Sequence, residues 1–320
     1  MPEQRGLKLG HVLVTGGHGF IGRHVVTALA RAGANPVSVA QSRGNMLADQ
    51  PGESIALDLE DRDRMKEVVG GMDGVVHLAA RAGGIQFQQE GGSDVFSSNR
   101  LITDNLLAAC AEANVKRMLL ASSLVTYRAS SEPLIESDPQ LGPADRPDPY
   151  AWSKITDEVV ASWHRELDIV VGRFGNVYGP GAPFEPERST VIHALIDRAA
   201  KLGDGEDLIV WGNGSAVRSF VFVEDAARAV LIALAEGGPG EAYNIDNGTE
   251  VTVAQLATAV RDQVNPSLNL VFDPTKPAGA PYRVASIAKM VAAGYSPQVD
   301  LEEGLRRTVD WYRESVAPPG

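Results

Sequence analysis

A glycine-rich turn that directly follows a short apolar segment is the feature that most constrains how this chain can fold. His11–Thr15 (HVLVT) predicts a buried strand, and residues 15–22 (TGGHGFIG) lead from it into a helical segment. Gly16 permits a sharp turn, Gly19 lets a phosphate group approach the backbone, and Gly22 lets the helix pack closely on a sheet. The free N–H groups and positive dipole end of the helix N-terminus then favour a pyrophosphate. A tight turn with no ligand is the alternative, but strand and helix lie on the correct sides of the glycines for a dinucleotide site.

The first half of the chain alternates short apolar segments with helical patterns. This alternation indicates right-handed crossovers and a parallel sheet covered by helices on both faces. We therefore predict an α/β fold: a Rossmann-like, doubly wound dinucleotide-binding domain over residues 1–175, to which residues 212–245 return, and a smaller mixed α/β cap over 176–211 and 246–320. The strands predicted for the sheet are residues 11–15, 36–40, 74–80, 117–122 and 169–173, and the helices between them are residues 20–32, 61–69, 94–113 and 151–167.

Charge and composition exclude several functional classes. The 320 residues include 41 acidic and 29 basic side chains, and the formal charge of −12 opposes binding to nucleic acid or anionic lipid. No apolar stretch approaches the roughly 20 residues of a membrane span, so we expect no membrane partner. The single cysteine, Cys110, excludes an internal disulfide and a cysteine-only metal site, and no histidine pair has zinc-ligand spacing. We therefore expect no metal, and with no apolar signal core in MPEQRGLKLG we expect a cytoplasmic protein.

The loop after the second predicted strand bears on the choice of dinucleotide. An acidic residue there favours NAD, but this chain has the sequence VSVAQSRGN, and Arg43 can pair with a ribose 2′-phosphate. The sequence thus favours NADP over NAD, with a solvated loop arginine as the alternative. Asp58 is placed either to reach the adenine edge or to cap the following helix. The remaining predicted cofactor contacts are Phe20, Ile21, Leu59 and Ala79.

A tyrosine and a lysine spaced four residues apart form the candidate catalytic pair. Tyr150 and Lys154, in the segment YAWSK, share a helix face, and Tyr150 lies near the positive end of the helix dipole. We expect the lysine and an oxidised nicotinamide to lower the pKa of the Tyr150 phenol from about 10 towards neutrality, where it serves as general acid or base. Ser123, at the end of the fourth strand, is placed to hold a substrate oxygen, and Asn99 to order the lysine through a water.

These motifs together resemble the extended short-chain dehydrogenase/reductases that act on nucleotide sugars. The resemblance spans nearly the whole chain and rests on segments in the family's order and spacing, namely TGGHGFIG, HLAA, ASSLVTY, YAWSK, RFGNVYGP and VRSFVFVEDAARA. Within that family the segments AARAGGIQF, SSLVTY and VFDPTKPAGAP are most similar to GDP-fucose synthase and GDP-mannose 3,5-epimerase. The resemblance implies that Tyr150 is the general acid/base, that Lys154 lowers its pKa and binds the nicotinamide ribose, and that Ser123 positions a sugar hydroxyl.

The resemblance also implies a substrate site and a mode of assembly. It assigns a nucleotide-sugar diphosphate to Asn176, Arg218 and Arg283, because a diphosphate in an acidic protein requires arginine partners. Surface ion pairs for the arginines, and a turn role for Asn176, are the alternatives. Gly84 and Ile85 are the other predicted substrate contacts. A homodimer is expected to form through the helices over residues 94–113 and 151–167, with core packing as the first interpretation of the apolar stripe formed by Trp152, Ile155, Val159 and Trp163.

Three positions depart from the family's pattern and restrict the chemistry. The two residues after Ser123 are Leu124 and Val125. At these two positions dehydratases of the family have Asp and Glu, and decarboxylases have a Glu. The nearest relatives have a Cys at the second position. Thr190 stands where the relatives have a second acid/base. Elimination, or inversion at C3 and C5, needs a proton taken from carbon, so hydride transfer at sugar C4 is what remains. We predict an NDP-sugar 4-epimerase, with an NADPH-dependent 4-keto-sugar reductase close behind; a 3,5-epimerase/reductase and a non-catalytic dinucleotide-sensing protein are less favoured.

Overall fold

Strands and helices alternate along the computed structural model of the chain, which describes residues 10–82, 92–145, 147–185, 189–277 and 279–316. The strands are, in chain order, β1 (His11–Thr15), β2 (Asn35–Ala40), β3 (Glu53–Ala56), β4 (Gly74–His77), β5 (Arg117–Ser123), β6 (Asp168–Phe174), β7 (Asn176–Tyr178), β8 (Asp207–Trp211), β9 (Val217–Arg218), β10 (Phe220–Phe222), β11 (Ala242–Ile245), β12 (Val251–Thr252), β13 (Asn269–Asp273) and β14 (Tyr282–Arg283). The α-helices are α1 (Phe20–Arg31), α2 (Arg62–Val69), α3 (Gly92–Ala113), α4 (Pro149–Ala161), α5 (Val191–Ala200), α6 (Val223–Glu236), α7 (Val253–Val264), α8 (Ala288–Ala292) and α9 (Leu301–Ser315).

The largest sheet has seven strands in the order β3-β2-β1-β4-β5-β6-β11, and every neighbouring pair is parallel. Successive side chains of a strand point to opposite faces, and both faces of this sheet are buried. Val12 and Val14 of β1 pack against α1 and α6 on one face, whereas Leu13 packs against α2 and α3 on the other. This confirms the predicted fold class, a doubly wound Rossmann-like sheet, and places the carboxyl ends of its strands at one edge.

A second apolar core lies where α5, α7 and α9 meet β8. Its buried residues run from Tyr178 to Phe222 and from Val251 to Tyr312. The strands in this part of the chain form short sheets, in which β12 and β14 flank β9, β13 pairs with β8, and β10 pairs with β7. A capping box between Thr252 and Gln255 begins α7. The predicted division of the chain into a dinucleotide-binding domain and a cap stays a prediction.

The predicted elements of the large sheet agree with the structure to within a few residues at most ends. The main correction is to the helix predicted over residues 151–167, because α4 begins at Pro149 and ends at Ala161, and turns follow it. Eight of the strands and α-helices given above were not predicted: β3, β7, β9, β11, β12, β14, α5 and α8. No helix among the described residues is both long enough and apolar enough to cross a membrane.

Candidate active site

The glycine turn between β1 and α1 is fixed by backbone contacts that no side chain would tolerate. Gly16 has a φ of +68°, and a Cβ there would lie 3.0 Å from the backbone nitrogen of Ala79. A Cβ on Gly22 would lie 2.0 Å from the carbonyl oxygen of Gly16, so α1 packs directly onto the turn. Gly19 is the N-cap of α1, and neither a capping side chain nor an acidic residue occupies the first turn of that helix. The turn therefore presents an uncapped helix N-terminus, which suits a pyrophosphate.

The side chains predicted around the glycine turn occupy different surroundings. Phe20 is half-buried and lies edge-on to the ring of His193, with 5.9 Å between ring centroids. Ile21 is half-buried beside the core. Ala79 donates its N–H to Thr15 Oγ1 over 3.4 Å. The Phe20 ring thus contacts protein side chains, and its role towards a cofactor stays a prediction.

Two residues predicted to select the adenosine end lie on exposed turns. Arg43 begins a short 3-10 helix after β2 and is exposed. Asp58 is exposed after β3 and accepts the Glu60 N–H at 3.1 Å. Asp61, not Asp58, caps α2 by accepting the Arg64 N–H, so the helix-cap alternative for Asp58 is wrong. The carbonyl of Leu59 accepts a 3.2 Å hydrogen bond from the Asn105 amide, which fixes this turn against α3.

Ser123 and Tyr150 meet at the carboxyl edge of the large sheet. Ser123 is the last residue of β5, and Tyr150 lies in the first turn of α4, behind Pro149. The carboxylate of Asp148 caps α4 by accepting the Ala151 N–H at 2.9 Å, which fixes the helix start. The Tyr150 phenol shares a hydrogen bond with Ser123, and both residues are half-buried. The structure therefore brings the predicted proton donor and the predicted oxygen-positioning residue together.

Burial and two neighbouring carboxylates act on the pKa of Tyr150. Burial, together with the charges of Asp148 and Asp157, raises the pKa of Tyr150 to about 12, although the hydrogen bond to Ser123 opposes the shift. The predicted lowering required a free ammonium and a nicotinamide charge. In the structure the Lys154 ammonium instead lies 3.6 Å from the carboxylate of Asp157. The predicted lowering of the Tyr150 pKa, which includes the charge of an oxidised nicotinamide, stays a prediction.

Two arginines predicted to bind a diphosphate lie side by side. Arg218 of β9 and Arg283 of β14 are direct partners in neighbouring parallel strands, and both are half-buried. Burial, and then the charge of Arg283, lower the pKa of Arg218 to about 10. Burial also lowers the pKa of Arg283, which the charge of Asp148 partly opposes. The two guanidinium groups thus form a concentrated positive site electrostatically linked to the start of α4.

The family model of the NAD-dependent epimerase/dehydratase family matches residues 12–246, which is more than half of the chain. The chain belongs to the NAD-dependent epimerase/dehydratase family. It is therefore an NAD(P)-dependent enzyme of a family that includes nucleotide-sugar epimerases, reductases and dehydratases. The family resemblance predicted from the sequence is confirmed. The tightly packed glycine turn between β1 and α1, and the uncapped N-terminus of α1, fit the dinucleotide that this family uses.

Three similar proteins illustrate the range of this family. A dTDP-4-dehydro-6-deoxy-D-allose reductase from a Streptomyces species is 32% identical over 317 residues, covering 94% of this chain and 96% of that protein. GDP-L-fucose synthase 1 of Arabidopsis thaliana is 34% identical over 251 residues, covering 76% of this chain and 77% of that protein. The crystal structure of UDP-glucose 4-epimerase from Thermotoga maritima with UDP-glucose has a TM-score of 0.82 and 25% identity, covering 96% of this chain and all of that one (100%).

A buried charge network beneath the tyrosine is the part of this family member's site that sequence reasoning missed. Lys154 and Asp157 are both buried in α4, and Arg100 of α3 donates a hydrogen bond to the Asp157 carboxylate. Arg100 also pairs with Asp104 one turn along its own helix. The spacing carried a signal, because Asp157 follows Lys154 by three residues and Tyr150 by seven, which places all three on one helix face. The partner, Arg100, lies on another helix and gives no such local signal.

Asn99 and His77 make hydrogen bonds that fix the backbone and side chains near the end of β4. The Asn99 side chain accepts the Arg81 N–H at 2.7 Å and donates to the Arg81 carbonyl at 3.1 Å, so it fixes the backbone after β4. Its predicted water-mediated contact to Lys154 stays a prediction. His77 lies between the hydroxyls of Thr15 and Thr103, at 2.7 and 3.2 Å. Burial, and then the charge of Lys154, lower the pKa of His77 to about 3, so this histidine is neutral at physiological pH.

The remaining predicted substrate residues, and the positions that depart from the family's pattern, lie in the following surroundings. Asn176 of β7 donates its amide to the Ser219 carbonyl at 2.9 Å, next to Arg218. Gly84 and Ile85 lie outside the described residues. Leu124 is buried behind Ser123, and Thr190 is the N-cap residue of α5, with its hydroxyl 2.9 Å from His193 Nδ1. Across the described ranges, no three His, Cys, Asp or Glu side chains are grouped so that they could hold a metal ion.

Proposed function

We propose that this enzyme transfers hydride at C4 of a nucleotide-diphosphate sugar and that it acts as a reductase of a 4-keto sugar. The observation that carries the substrate class is the pair of half-buried arginines, Arg218 and Arg283, in a protein of formal charge −12. Two like charges held together in a desolvated site are stabilised by an anion with adjacent phosphate groups. Asn176 supports this assignment, because its amide fixes the strand that follows Arg218.

Tyr150 is placed to supply the proton that reduction of a ketone requires. When bound, reduced nicotinamide supplies the hydride that C4 receives. Tyr150 then donates its phenolic proton to the C4 oxygen, and the ketone becomes a secondary alcohol. Burial raises the pKa of Tyr150 to about 12, so the phenol carries this proton at neutral pH. Ser123, hydrogen-bonded to Tyr150, is positioned to donate to the same oxygen.

Two further observations support the reductase. The full-length relative from Streptomyces, named as a reductase of a 4-dehydro sugar, is 32% identical to this chain. Arg43 is exposed on the turn after β2, where a guanidinium favours the 2′-phosphate of NADPH over NADH. We therefore propose NADPH as the preferred donor. The sequence alone placed the 4-epimerase first, and the likeness to a 4-dehydro-sugar reductase along nearly the whole chain, together with Arg43, is our reason to place the reductase first.

The 4-epimerase is the second candidate, favoured by the likeness to UDP-glucose 4-epimerase at a TM-score of 0.82. Leu124 and Val125 suit both reactions, because neither requires a further proton carrier beside Ser123. An epimerase, however, must first remove a proton from a sugar hydroxyl, so it needs Tyr150 as phenolate. That requirement distinguishes the two candidates.

Cofactor stoichiometry separates the two reactions. Purified protein is incubated with NDP-4-keto-6-deoxy sugars or with NDP-hexoses, with and without NADPH, and product is compared with NADPH consumed. One NADPH oxidised per keto sugar reduced supports the reductase, whereas conversion of an NDP-hexose with no net NADPH use overturns it. Tyr150→Phe is the control, and it is expected to lose nearly all turnover while still binding the dinucleotide. A thermal-shift screen of UDP-, GDP-, ADP- and dTDP-sugars identifies the nucleobase.

We also propose that the enzyme is a homodimer that pairs through α3 and α4. Leu101 and Val159 are each 44% exposed on these helices, and Trp163, just beyond α4, is 70% exposed. Core packing, the first interpretation of the stripe, is therefore wrong for Val159 and Trp163, although Ile155 is buried. Exposed large apolar groups on adjacent helices are typical of an interface.

Sedimentation of the Trp163→Asp variant tests the proposed dimer interface. Trp211→Asp is the matched control, because Trp211 is 48% exposed and lies on β8, away from these helices. A dimer that is unchanged in Trp163→Asp contradicts the proposed interface.

A further inference from the structure

The carboxylate of Glu158 accepts four hydrogen bonds where α4 packs on the large sheet. Arg173 of β6 donates from Nε to one carboxylate oxygen at 3.1 Å and from Nη2 to the other at 2.7 Å. Gln140 donates its side-chain amide at 2.8 Å, and the hydroxyl of Ser122 on β5 is the fourth donor. The side chains of Glu158 and Arg173 are only 9% and 8% exposed, so these charge-assisted hydrogen bonds are shielded from water. Glu158 therefore ties α4 to the carboxyl ends of both strands.

Ser122 connects this carboxylate to the candidate active site. It is 3% exposed, immediately precedes Ser123, and is the direct cross-strand partner of Arg173. Tyr150 and Glu158 lie on the same helix, about 12 Å apart along its axis at roughly 1.5 Å per residue. The Ser123–Tyr150 contact joins the end of β5 to the start of α4, and the Ser122–Glu158 contact joins them again near the end of the helix. Two separate attachments restrict both sliding and rotation of the strand end against the helix.

The turn that follows Ser123 is bonded to the same group of residues from the other side. Ser123 Oγ accepts the Val125 N–H at 3.3 Å, and the Thr126 hydroxyl donates to the Ser123 carbonyl at 2.8 Å. The Thr126 carbonyl accepts the Leu141 N–H at 2.7 Å, and Leu141 directly follows Gln140. Ser123 is therefore held on its N-terminal side by the preceding residue of β5, and on its C-terminal side through the loop whose Gln140 amide binds the same carboxylate.

We propose that Ser122 is a positioning residue which, through Glu158, holds Ser123 at the place from which Ser123 donates to the C4 oxygen. The proposal rests on the proposed function, which gives Ser123 that donor role beside Tyr150. Ser122 is buried beneath the site, so it acts on the reaction only through its neighbour. Such alignment affects the rate strongly, because a displacement of about 1 Å at a reacting group can cost on the order of 100-fold.

The other donors to Glu158 allow an effect on Ser123 to be separated from an effect on the packing of α4. In Ser122→Ala, Glu158 keeps both hydrogen bonds from Arg173 and the one from Gln140, so its charge stays paired and α4 stays attached to β6. Only the attachment of β5 to Glu158 is lost. The variant lacks a single hydrogen bond, so we expect it to remain folded.

A double-mutant cycle between the two serines is the direct test. Reduction of a nucleotide 4-keto sugar by NADPH is measured for the parent, Ser122→Ala, Ser123→Ala and the double variant. Ser122→Ala alone should lower kcat about tenfold and leave the KM for NADPH unchanged, because the donor is displaced while the dinucleotide site is intact. In the Ser123→Ala background the same change should lower kcat less than about twofold, since the residue that Ser122 positions has lost its hydroxyl. Equal losses in the two backgrounds, or no loss in either, overturn the proposal.

Hydrogen–deuterium exchange of the ligand-free protein gives a readout that needs no turnover. The peptide over residues 124–127 contains the Val125 N–H, which Ser123 Oγ accepts, and the Tyr127 N–H, which the Leu124 carbonyl accepts. These amides should exchange at least about threefold faster in Ser122→Ala than in the parent, and unchanged exchange overturns the proposal. If the parent turns over no nucleotide sugar, faster exchange in Ser122→Ala still supports the positioning of Ser123, and the missing turnover refutes only the proposed function.

Thr308→Ala is the matched control, because it removes a buried hydroxyl far from Ser123 in the chain. Thr308 is fully buried on α9, and its hydroxyl donates to the Gly304 carbonyl at 2.6 Å. Its loss should lower the urea midpoint, as in Ser122→Ala, but leave kcat and the exchange of residues 124–127 unchanged.

Ser122→Thr tests the hydroxyl itself, because it keeps the donor and adds a methyl group. If the hydroxyl positions Ser123, Ser122→Thr retains more turnover than Ser122→Ala. If the residue matters only for packing, the added methyl group makes Ser122→Thr the more impaired variant, and that order overturns the proposal.

Discussion

Replacing Gly22 with alanine should disable the dinucleotide site without touching the catalytic groups. The added Cβ would lie 2.0 Å from the Gly16 carbonyl oxygen and 2.8 Å from the Gly17 Cα, both backbone atoms. Relief of the overlap requires α1 to move away from the turn by about 1 Å or more, since non-bonded atoms repel steeply inside their contact distance. Overpacking of this kind costs about 1–3 kcal/mol of folding stability. The same movement displaces the helix N-terminus from the pyrophosphate, so we expect dinucleotide affinity to fall at least about tenfold, or about 1.4 kcal/mol.

Isothermal titration with NADPH and urea unfolding measure the two effects of Gly22→Ala separately. The matched control is Gly203→Ala, where the nearest atom to the new Cβ is 3.5 Å away at the end of the flexible Glu206 side chain. The control should bind NADPH as the parent does and unfold at nearly the same urea concentration. Parent-like affinity in Gly22→Ala would refute the assignment of the dinucleotide to this turn.

Two further changes test the anion site and a buried carboxyl. Arg283→Ala should weaken nucleotide-diphosphate binding by about 2 kcal/mol, roughly thirtyfold, because charge-assisted hydrogen bonds contribute at this level. The affinity for NADPH should not change, and an equal loss of affinity for both ligands would contradict the assignment. Asp246 is fully buried, and burial raises the pKa of its carboxyl group to about 6. The folded protein therefore favours the protonated carboxyl, so the stability from this group is present below about pH 4 and is lost as pH rises through 6. Between pH 4 and 7, Asp246→Asn should gain up to about 3 kcal/mol relative to the parent in urea unfolding, whereas a pH-independent difference would contradict the raised pKa.

Local pattern predicted most of the large sheet and the glycine turn. The segment HVLVT and the glycines after it determine their own geometry, because strand burial and turn strain depend on adjacent residues. The edge strand β3 was missed because Glu53–Ala56 is short and only partly buried, which leaves little apolar signal. The helix α5 was missed although its buried residues recur at helical spacing, with half-buried residues between them.

The contact between Tyr150 and Ser123 could be predicted from the sequence, but the charges that surround Tyr150 could not. Helix spacing and the end of β5 correctly brought Tyr150 to Ser123. The raised pKa of Tyr150 in the structure could not be read from local pattern, because it depends on burial, on Asp148 and on Asp157, whose partner Arg100 is 57 residues away in the chain. Similarly, the apolar stripe from Trp152 to Trp163 did not predict which of its residues face solvent, because their exposure depends on where α3 packs.

The transfer of deuterium from cofactor to sugar tests the central claim most directly. The enzyme is given a nucleotide 4-keto sugar and NADPH that carries deuterium at each of its transferable hydride positions in turn, and the product is examined by NMR. Direct hydride transfer predicts deuterium at sugar C4 from one of the two labelled cofactors, and no labelled product from Tyr150→Phe. Product with only protium at C4 from both cofactors, or with deuterium at another carbon, would contradict hydride transfer at this position.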